Sequence, residues 1–74
     1  MTKLPVLSGR DVVKMLARVG YEFDHQRGSH IVLRLSVQPY RRITIPDHKE
    51  IAKGTLRAII RETGLTVDEF TDLA

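Results

Sequence analysis

The 74-residue chain has no cysteine, no tryptophan, and only four aromatic residues, Tyr21, Phe23, Tyr40 and Phe70. Without cysteine there is no disulfide and no thiolate metal site, a composition suited to a reducing compartment. So few aromatics offer little to stack on the successive bases of a single strand, so poor sequence selectivity is expected of any nucleic-acid binding. No apolar run approaches the roughly 20 residues that cross a bilayer. The stretch Met1-Thr2-Lys3-Leu4-Pro5 lacks the apolar centre of a secretion signal. The expectation is a free-standing cytoplasmic protein, one domain over residues 1–74, with no membrane contact. A core of this size is small, since a domain of about 60 residues buries only about 60% of its unfolded surface.

Twelve Lys and Arg against nine Asp and Glu give a formal charge of +3 and a sequence pI of about 9.7. Position matters more than the sum. Arg27, Arg34, Arg41 and Arg42 fall in the middle of the chain, whereas Asp68, Glu69 and Asp72 gather at its end. That asymmetry points to a polyanionic partner for the middle segment.

Ser8-Gly9-Arg10-Asp11 sets a serine N-cap three residues before a carboxylate, a variant capping box, with Leu7 and Val12 as its apolar staple. Val12, Val13, Leu16 and Val19 recur at helical spacing and Gly20 ends the pattern, predicting a helix over Ser8–Val19. Tyr21, Phe23 and His25 then alternate with Glu22, Asp24 and Gln26. Ile31, Leu33 and Leu35 alternate with His30, Val32 and Arg34, so the two runs predict a β-hairpin. Its faces depend on loop length, because a one-residue slip moves every side chain to the other face. A two-residue loop would set Phe23 against Val32. A three-residue loop, Arg27-Gly28-Ser29, pairs Gln26 with His30, Phe23 with Leu33, and Glu22 with Arg34 as opposite charges. The three-residue loop separates an apolar from a polar face and is the predicted one. It turns His25 inward, partly buried, and leaves His30 and Arg34 on the polar face.

Ser36–Tyr40 reads as a loop, Arg42-Ile43-Thr44-Ile45 as a third strand closed by Pro46, and Asp47–Lys53 as a polar connection containing His48. Leu56, Ile59 and Ile60 predict a helix over Lys53–Thr63 with Gly64 as its stop. Thr66-Val67-Asp68-Glu69 is a second capping box, with Leu65 and Phe70 as its staple, opening a short helix that ends near Leu73. The order is α-β-β-β-α plus a short C-terminal helix, an α+β two-layer arrangement. The helices are expected to cover Phe23, Ile31, Leu33, Ile43 and Ile45, leaving an open sheet face with His30, Arg34, Arg42 and Thr44.

The chemistry concentrates at Gly28-Ser29-His30. Histidine exchanges protons near neutrality, its unperturbed pKa being about 6.5. A glycine turn leaves amide N–H groups facing outward. Arg27 and Arg34 bracket His30 with permanent charge, and a proton-transfer group among cations suits phosphodiester chemistry. The same features also describe a plain basic hairpin with a solvated histidine. Of the neighbours Arg41 and Arg42 only one can share the face of His30, and Arg42 is the choice. Ser29 reads as a turn residue that helps hold a phosphate. Lys53, Arg57 and Arg61, spaced by four, form either a solvated helix face or a second phosphate track. His48 is read as a solvated loop residue. With His25 and His30 on opposite faces and no His-x-x-x-His pair, neither a metal site nor a cofactor is expected.

The placed elements resemble the HicA family of toxin–antitoxin mRNA interferases. The matching landmarks are Ser8-Gly9, Gly20-Tyr21, Gln26-Arg27-Gly28-Ser29-His30, Ile45-Pro46-Asp47-His48, Lys53-Gly54-Thr55-Leu56-Arg57, Gly64-Leu65 and Asp68-Glu69-Phe70, from about Val6 to Phe70. His25 stands where the family usually has a basic residue, and the Ser36–Tyr40 loop lacks the common Asp-Gly turn. The resemblance implies a double-stranded-RNA-binding-domain-like fold, endoribonuclease activity on mRNA, a catalytic histidine at His30, and a HicB-type antitoxin that masks the active surface.

Two functions from different classes remain open on the residues. In a metal-independent endoribonuclease the RNA 2′-OH is the nucleophile. His30 would be the general acid or base, and Arg27, Gly28, Ser29, Arg34 and Arg42 would hold the phosphate. A lone histidine would leave the second proton transfer unaided. The other class is a non-catalytic module that reads duplex RNA by shape and phosphate contacts.

Overall fold

The structure, a computed structural model, describes residues 3–74; Met1 and Thr2, part of the stretch read for a secretion signal, lie outside the described residues. Helix α1 (Gly9–Ala17) begins at Ser8, whose hydroxyl accepts the Asp11 amide at 3.0 Å while the Asp11 carboxylate accepts the Ser8 amide at 3.0 Å. The two orphan donors of the first turn are thereby satisfied. Val12, Met15 and Leu16 are buried. The periodicity predicts a helix to Val19, but α1 stops at Ala17. There the amides of Arg18, Val19 and Gly20 bond three residues back, and Val19 is left exposed. Tightening of this kind is common at helix ends.

Strands β1 (Tyr21–Arg27), β2 (His30–Leu35) and β3 (Arg42–Pro46) form an antiparallel sheet in the order β1-β2-β3. Helix α2 (Lys53–Thr63) buries Leu56, Ile59 and Ile60, as their spacing predicts, and ends on Gly64 in the left-handed conformation. Helix α3 (Val67–Thr71) starts with the predicted reciprocal capping of Thr66 and Glu69, and Phe70 beneath it is fully buried. The helices pack on one sheet face, against Ile31, Leu33, Ile43 and Ile45. Three further residues join the core, Leu4, Tyr21 and Ile51. Ile51 interrupts the connection read as polar, and its amide donates to the Leu7 carbonyl at 2.8 Å.

Phe23 corrects the expected core. Its pairing with Leu33 puts it on the helix side, yet it is 58% exposed. β1 is an edge strand, and of its seven residues only Tyr21 is buried, so the helix layer does not extend over Phe23.

The start of α1 presses on the end of β3. The Gly9 amide donates to the His48 carbonyl at 2.9 Å, and a Cβ on Gly9 would stand 2.0 Å from the Pro46 carbonyl oxygen. Glycine is required here by close approach of two backbones. Gly9→Ala should lower stability by about 1–3 kcal/mol through overpacking, read as a fall in Tm. Gly54→Ala is the control, lying in α2 with nothing within 4 Å of its added Cβ. It should hold or raise Tm, since alanine is the better helix former.

Candidate functional site

The hairpin turn is shorter than predicted. Arg27 pairs with His30, Gln26 with Ile31 and His25 with Val32, so only Gly28 and Ser29 lie between the strands. Gly28 has φ +58°, and glycine at the first of two turn positions is the type II′ pattern, which matches the twist of the flanking strands. Lower in the hairpin the predicted pairs hold: Phe23 with Leu33 and Glu22 with Arg34. The two registers differ by one residue, and a β-bulge between Phe23 and His25 takes up Asp24 as the extra one. The three-residue loop is therefore corrected at the turn and upheld at the base.

The bulge changes which side chains meet. Ile31 and Leu33 are buried under the helices, so His30, Val32 and Arg34 lie on the open face. Residues directly opposite share a face. His25 beside Val32 and Arg27 beside His30 therefore join them, with Thr44 and Arg42 from β3. The expectation that His25 points inward, opposite to His30, is overturned: both imidazoles occupy the open face. Gln26 takes the inward register instead.

Asp24 anchors this face. Its carboxylate lies 2.7 Å from His25 Nδ1 and 3.5 Å from Arg42 Nε. The hydrogen bond from His25, with the charge of Arg42 behind it, holds the Asp24 carboxyl below the ordinary aspartate range against the opposing effect of partial desolvation. Arg34 is held differently, its guanidinium 4.7 Å over the Tyr40 ring, within cation–π range. His30 and Arg27 make no side-chain hydrogen bond or ion pair among the described residues. Of the predicted phosphate-binding arginines, Arg27 is uncommitted, Arg34 is stacked and Arg42 is ion-paired. Arg42 does face the open side, while Arg41 turns away and donates to the Glu62 carbonyl at the end of α2, at 3.2 Å.

A second group fixes the turn from below. The Asp47 amide donates to the Ser29 carbonyl at 2.6 Å. Gln26 Nε2 donates to the Gly28 carbonyl at 3.0 Å and to Asp47 Oδ2 at 3.1 Å. The same Asp47 oxygen pairs with Arg10 of α1 at 3.3 Å. Both turn carbonyls are thus occupied by donors of the protein. Sequence reasoning missed Asp24, Gln26, Tyr40 and Asp47. A signal existed for the bulge: Gly-Ser is a favoured two-residue turn pair, and with Glu22 opposite Arg34 it forces one extra residue into β1.

The remaining sequence candidates lie apart. Lys53, Arg57 and Arg61 are exposed on α2, in the helix layer on the other side of the sheet from His30. The His48 side chain is exposed, while its carbonyl accepts from Gly9. Among the described residues no three His, Asp or Glu side chains converge as a metal-ligand group, and no helix is long and apolar enough to cross a membrane.

A family model described as HicA toxin of bacterial toxin-antitoxin matches residues 9–65. The chain belongs to this family, and membership makes it the toxin of a toxin–antitoxin system, with an antitoxin as its implied partner. No curated protein and no solved structure matches it. The matched span runs from Gly9 to just past Gly64, and so contains the whole sheet and the network beneath the turn.

The network yields a prediction. Asp47→Ala removes one acceptor shared by Gln26 and Arg10, and should cost about 1–2 kcal/mol, the loss of a typical net hydrogen bond together with an exposed ion pair. Faster hydrogen exchange of the His30 amide and of the residue 47 amide, which donates to the Ser29 carbonyl, should accompany it. Arg10→Ala removes only the exposed ion pair and should cost about 0–1 kcal/mol. Equal losses from the two variants would show that Asp47 does not hold the turn.

Proposed function

We propose that this toxin is a metal-independent endoribonuclease that cleaves mRNA in the cytoplasm, with His30 as a general acid or base. The observation that carries this reading is the placement of His30, an exposed imidazole at a braced Gly-Ser turn, directly opposite an uncommitted arginine. RNA supplies its own nucleophile, the 2′-OH beside the scissile phosphate. The protein has to move protons and stabilise the charge that develops on phosphorus. A placed proton-transfer group contributes about 10²–10⁴-fold, and preorganised donors aimed at developing charge contribute on a similar scale.

The phosphate would rest on the amides of Gly28 and Ser29 and on Arg27, with Arg34 beside it. Arg34 keeps its charge while stacked on Tyr40, so its reach is restricted and its direction set. Arg42 already faces Asp24 and contributes least. The ranking Arg27, then Arg34, then Arg42 follows from these partners and differs from an equal share among the three.

His30→Ala and His30→Gln should abolish RNA cleavage and growth inhibition while Tm and RNA affinity stay within a few-fold of wild type. Full cleavage by a folded His30→Ala protein would overturn His30 as the catalytic group, whereas purified wild type that binds duplex RNA without cutting it would leave a non-catalytic module that reads shape.

The antitoxin implied by the family is, on this reading, a HicB-type protein that covers the open face. An acidic surface competing for the same cations is the simplest inhibitor, and charge complementarity would make association fast and salt-sensitive. Its footprint should include Arg27, His30, Arg34 and Arg42 and leave the acidic α3 segment, with Asp68, Glu69 and Asp72, uncovered. In titrations, RNA binding and cleavage should fall together in proportion to complex formed. A complex that still cleaves, or an interface confined to α2 and α3, would rule out inhibition by masking.

A further inference from the structure

The bulge supplies the open face with a second imidazole, already held in place. An ionised Asp24 carboxylate only accepts, so the 2.7 Å contact assigns a proton to His25 Nδ1, and in the neutral ring the lone pair is then on Nε2. The His25 side chain stays 57% exposed despite that bond. His25 stands opposite Val32, and His30 lies two residues before Val32 on the same face. Diagonal neighbours of this kind are about 7–8 Å apart, within reach of long and aromatic side chains. Arg27 occupies the remaining corner, opposite His30 and two residues beyond His25. A phosphate over this square has an imidazole on either side and a cation against it.

We propose that His25, oriented by Asp24, is the second proton-transfer residue of this site, acting as general base opposite His30 as general acid. This rests on the endoribonuclease reading above. His25 Nε2 takes the 2′-OH proton as the 2′-oxygen forms its bond to phosphorus. The bond from phosphorus to the 5′-oxygen breaks, and His30, entering as imidazolium, gives its proton to that oxygen. The products are a 2′,3′-cyclic phosphate and a 5′-hydroxyl. His25 leaves protonated and His30 neutral, and exchange with water resets both. Asp24 is a positioning residue: it fixes the tautomer of His25 and stabilises the imidazolium that forms, as the buried aspartate does in serine hydrolases.

The charged and titratable groups facing the pair are Glu22, Asp24 and Arg27 from β1, His30 and Arg34 from β2, and Arg42 from β3, with Tyr40 against Arg34. The test is single-turnover cleavage across pH by wild type, His25→Ala, His25→Gln, His30→Ala and Asp24→Asn, each with a thermal melt. Two substrates are used: an RNA oligonucleotide, and the same RNA with sulfur replacing the bridging 5′-oxygen. The sulfur leaves as a thiolate without needing a proton, a thiol pKa being about 8.5.

Wild type should give a bell-shaped profile. Both His25 variants should melt as wild type, lose about 100-fold or more, lack the acid-side limb, and stay slow on the sulfur substrate. His30→Ala should lack the alkaline limb and recover on the sulfur substrate. Asp24→Asn should lower the single-turnover maximum on both substrates while RNA affinity and the melt stay as in wild type. His25 variants within a few-fold of wild type that keep the bell overturn the pairing while leaving His30 in its role. Recovery of the His25 variants on sulfur overturns the assignment as base. His30→Ala cleaving at the wild-type rate removes His30 from the chemistry and the pairing with it, and wild type that binds the RNA without cutting it removes the underlying endoribonuclease reading.

Discussion

The backbone of Gly9 lies so close to the carbonyl of Pro46 that no side chain fits between them, and the rest of the site depends on that approach. It brings the first turn of α1 against the end of β3, where Asp47 begins the connection to α2. From there Asp47 reaches in two directions, to Arg10 on the helix and to Gln26 beneath the hairpin turn. The turn carbonyls of Gly28 and Ser29 are held by the same group of residues. Landmarks far apart in the chain, Ser8-Gly9, Gln26 to His30, and Pro46-Asp47-His48, thus form one physical unit. A two-residue turn at a sheet edge is ordinarily free to move; here it is tied to a helix start and a strand end.

The second constraint is a conflict of register. The Gly28-Ser29 turn calls for one pairing, and the base of the hairpin, where Leu33 must be buried and Glu22 faces Arg34, calls for another. One extra residue at Asp24 reconciles them. The cost is a locally broken ladder; the outcome is that β1 above the bulge is reversed and presents His25 and Arg27 beside His30. Asp24, the residue left over, ties His25 to Arg42 across β2. The open face is therefore not uniformly cationic. It carries two acidic residues, Glu22 opposite Arg34 in the register and Asp24 fixing an imidazole, and among the described residues Arg27 has no ion-pair or ring partner.

Element order and the caps were legible because they follow local rules. Ser8 and Asp11, and Thr66 and Glu69, satisfy their own helix starts, and Leu56, Ile59 and Ile60 bury on the side their spacing gives them. What escaped were features set by residues distant in sequence. Phe23 alternates correctly but sits on an edge strand that the helices do not cover. Ile51 is the one large apolar residue of a polar stretch, without periodicity to mark it. The faces of His25 and Gln26 depended on a single residue of loop length, which alternation alone could not decide. His30 itself was legible, since its face is set by Ile31 and Leu33 beside it.

On the reading proposed here, RNA is cut at the open face by internal attack of its own 2′-OH. The most direct measurement is the identity of the ends left after cleavage of a defined RNA by purified toxin in excess EDTA. Undiminished cleavage is expected, with 2′,3′-cyclic phosphate (or the 3′-phosphate from its opening) on one fragment and a 5′-hydroxyl on the other. Fragments ending in 3′-hydroxyl and 5′-phosphate, or cleavage that stops when the chelator is added, would contradict it.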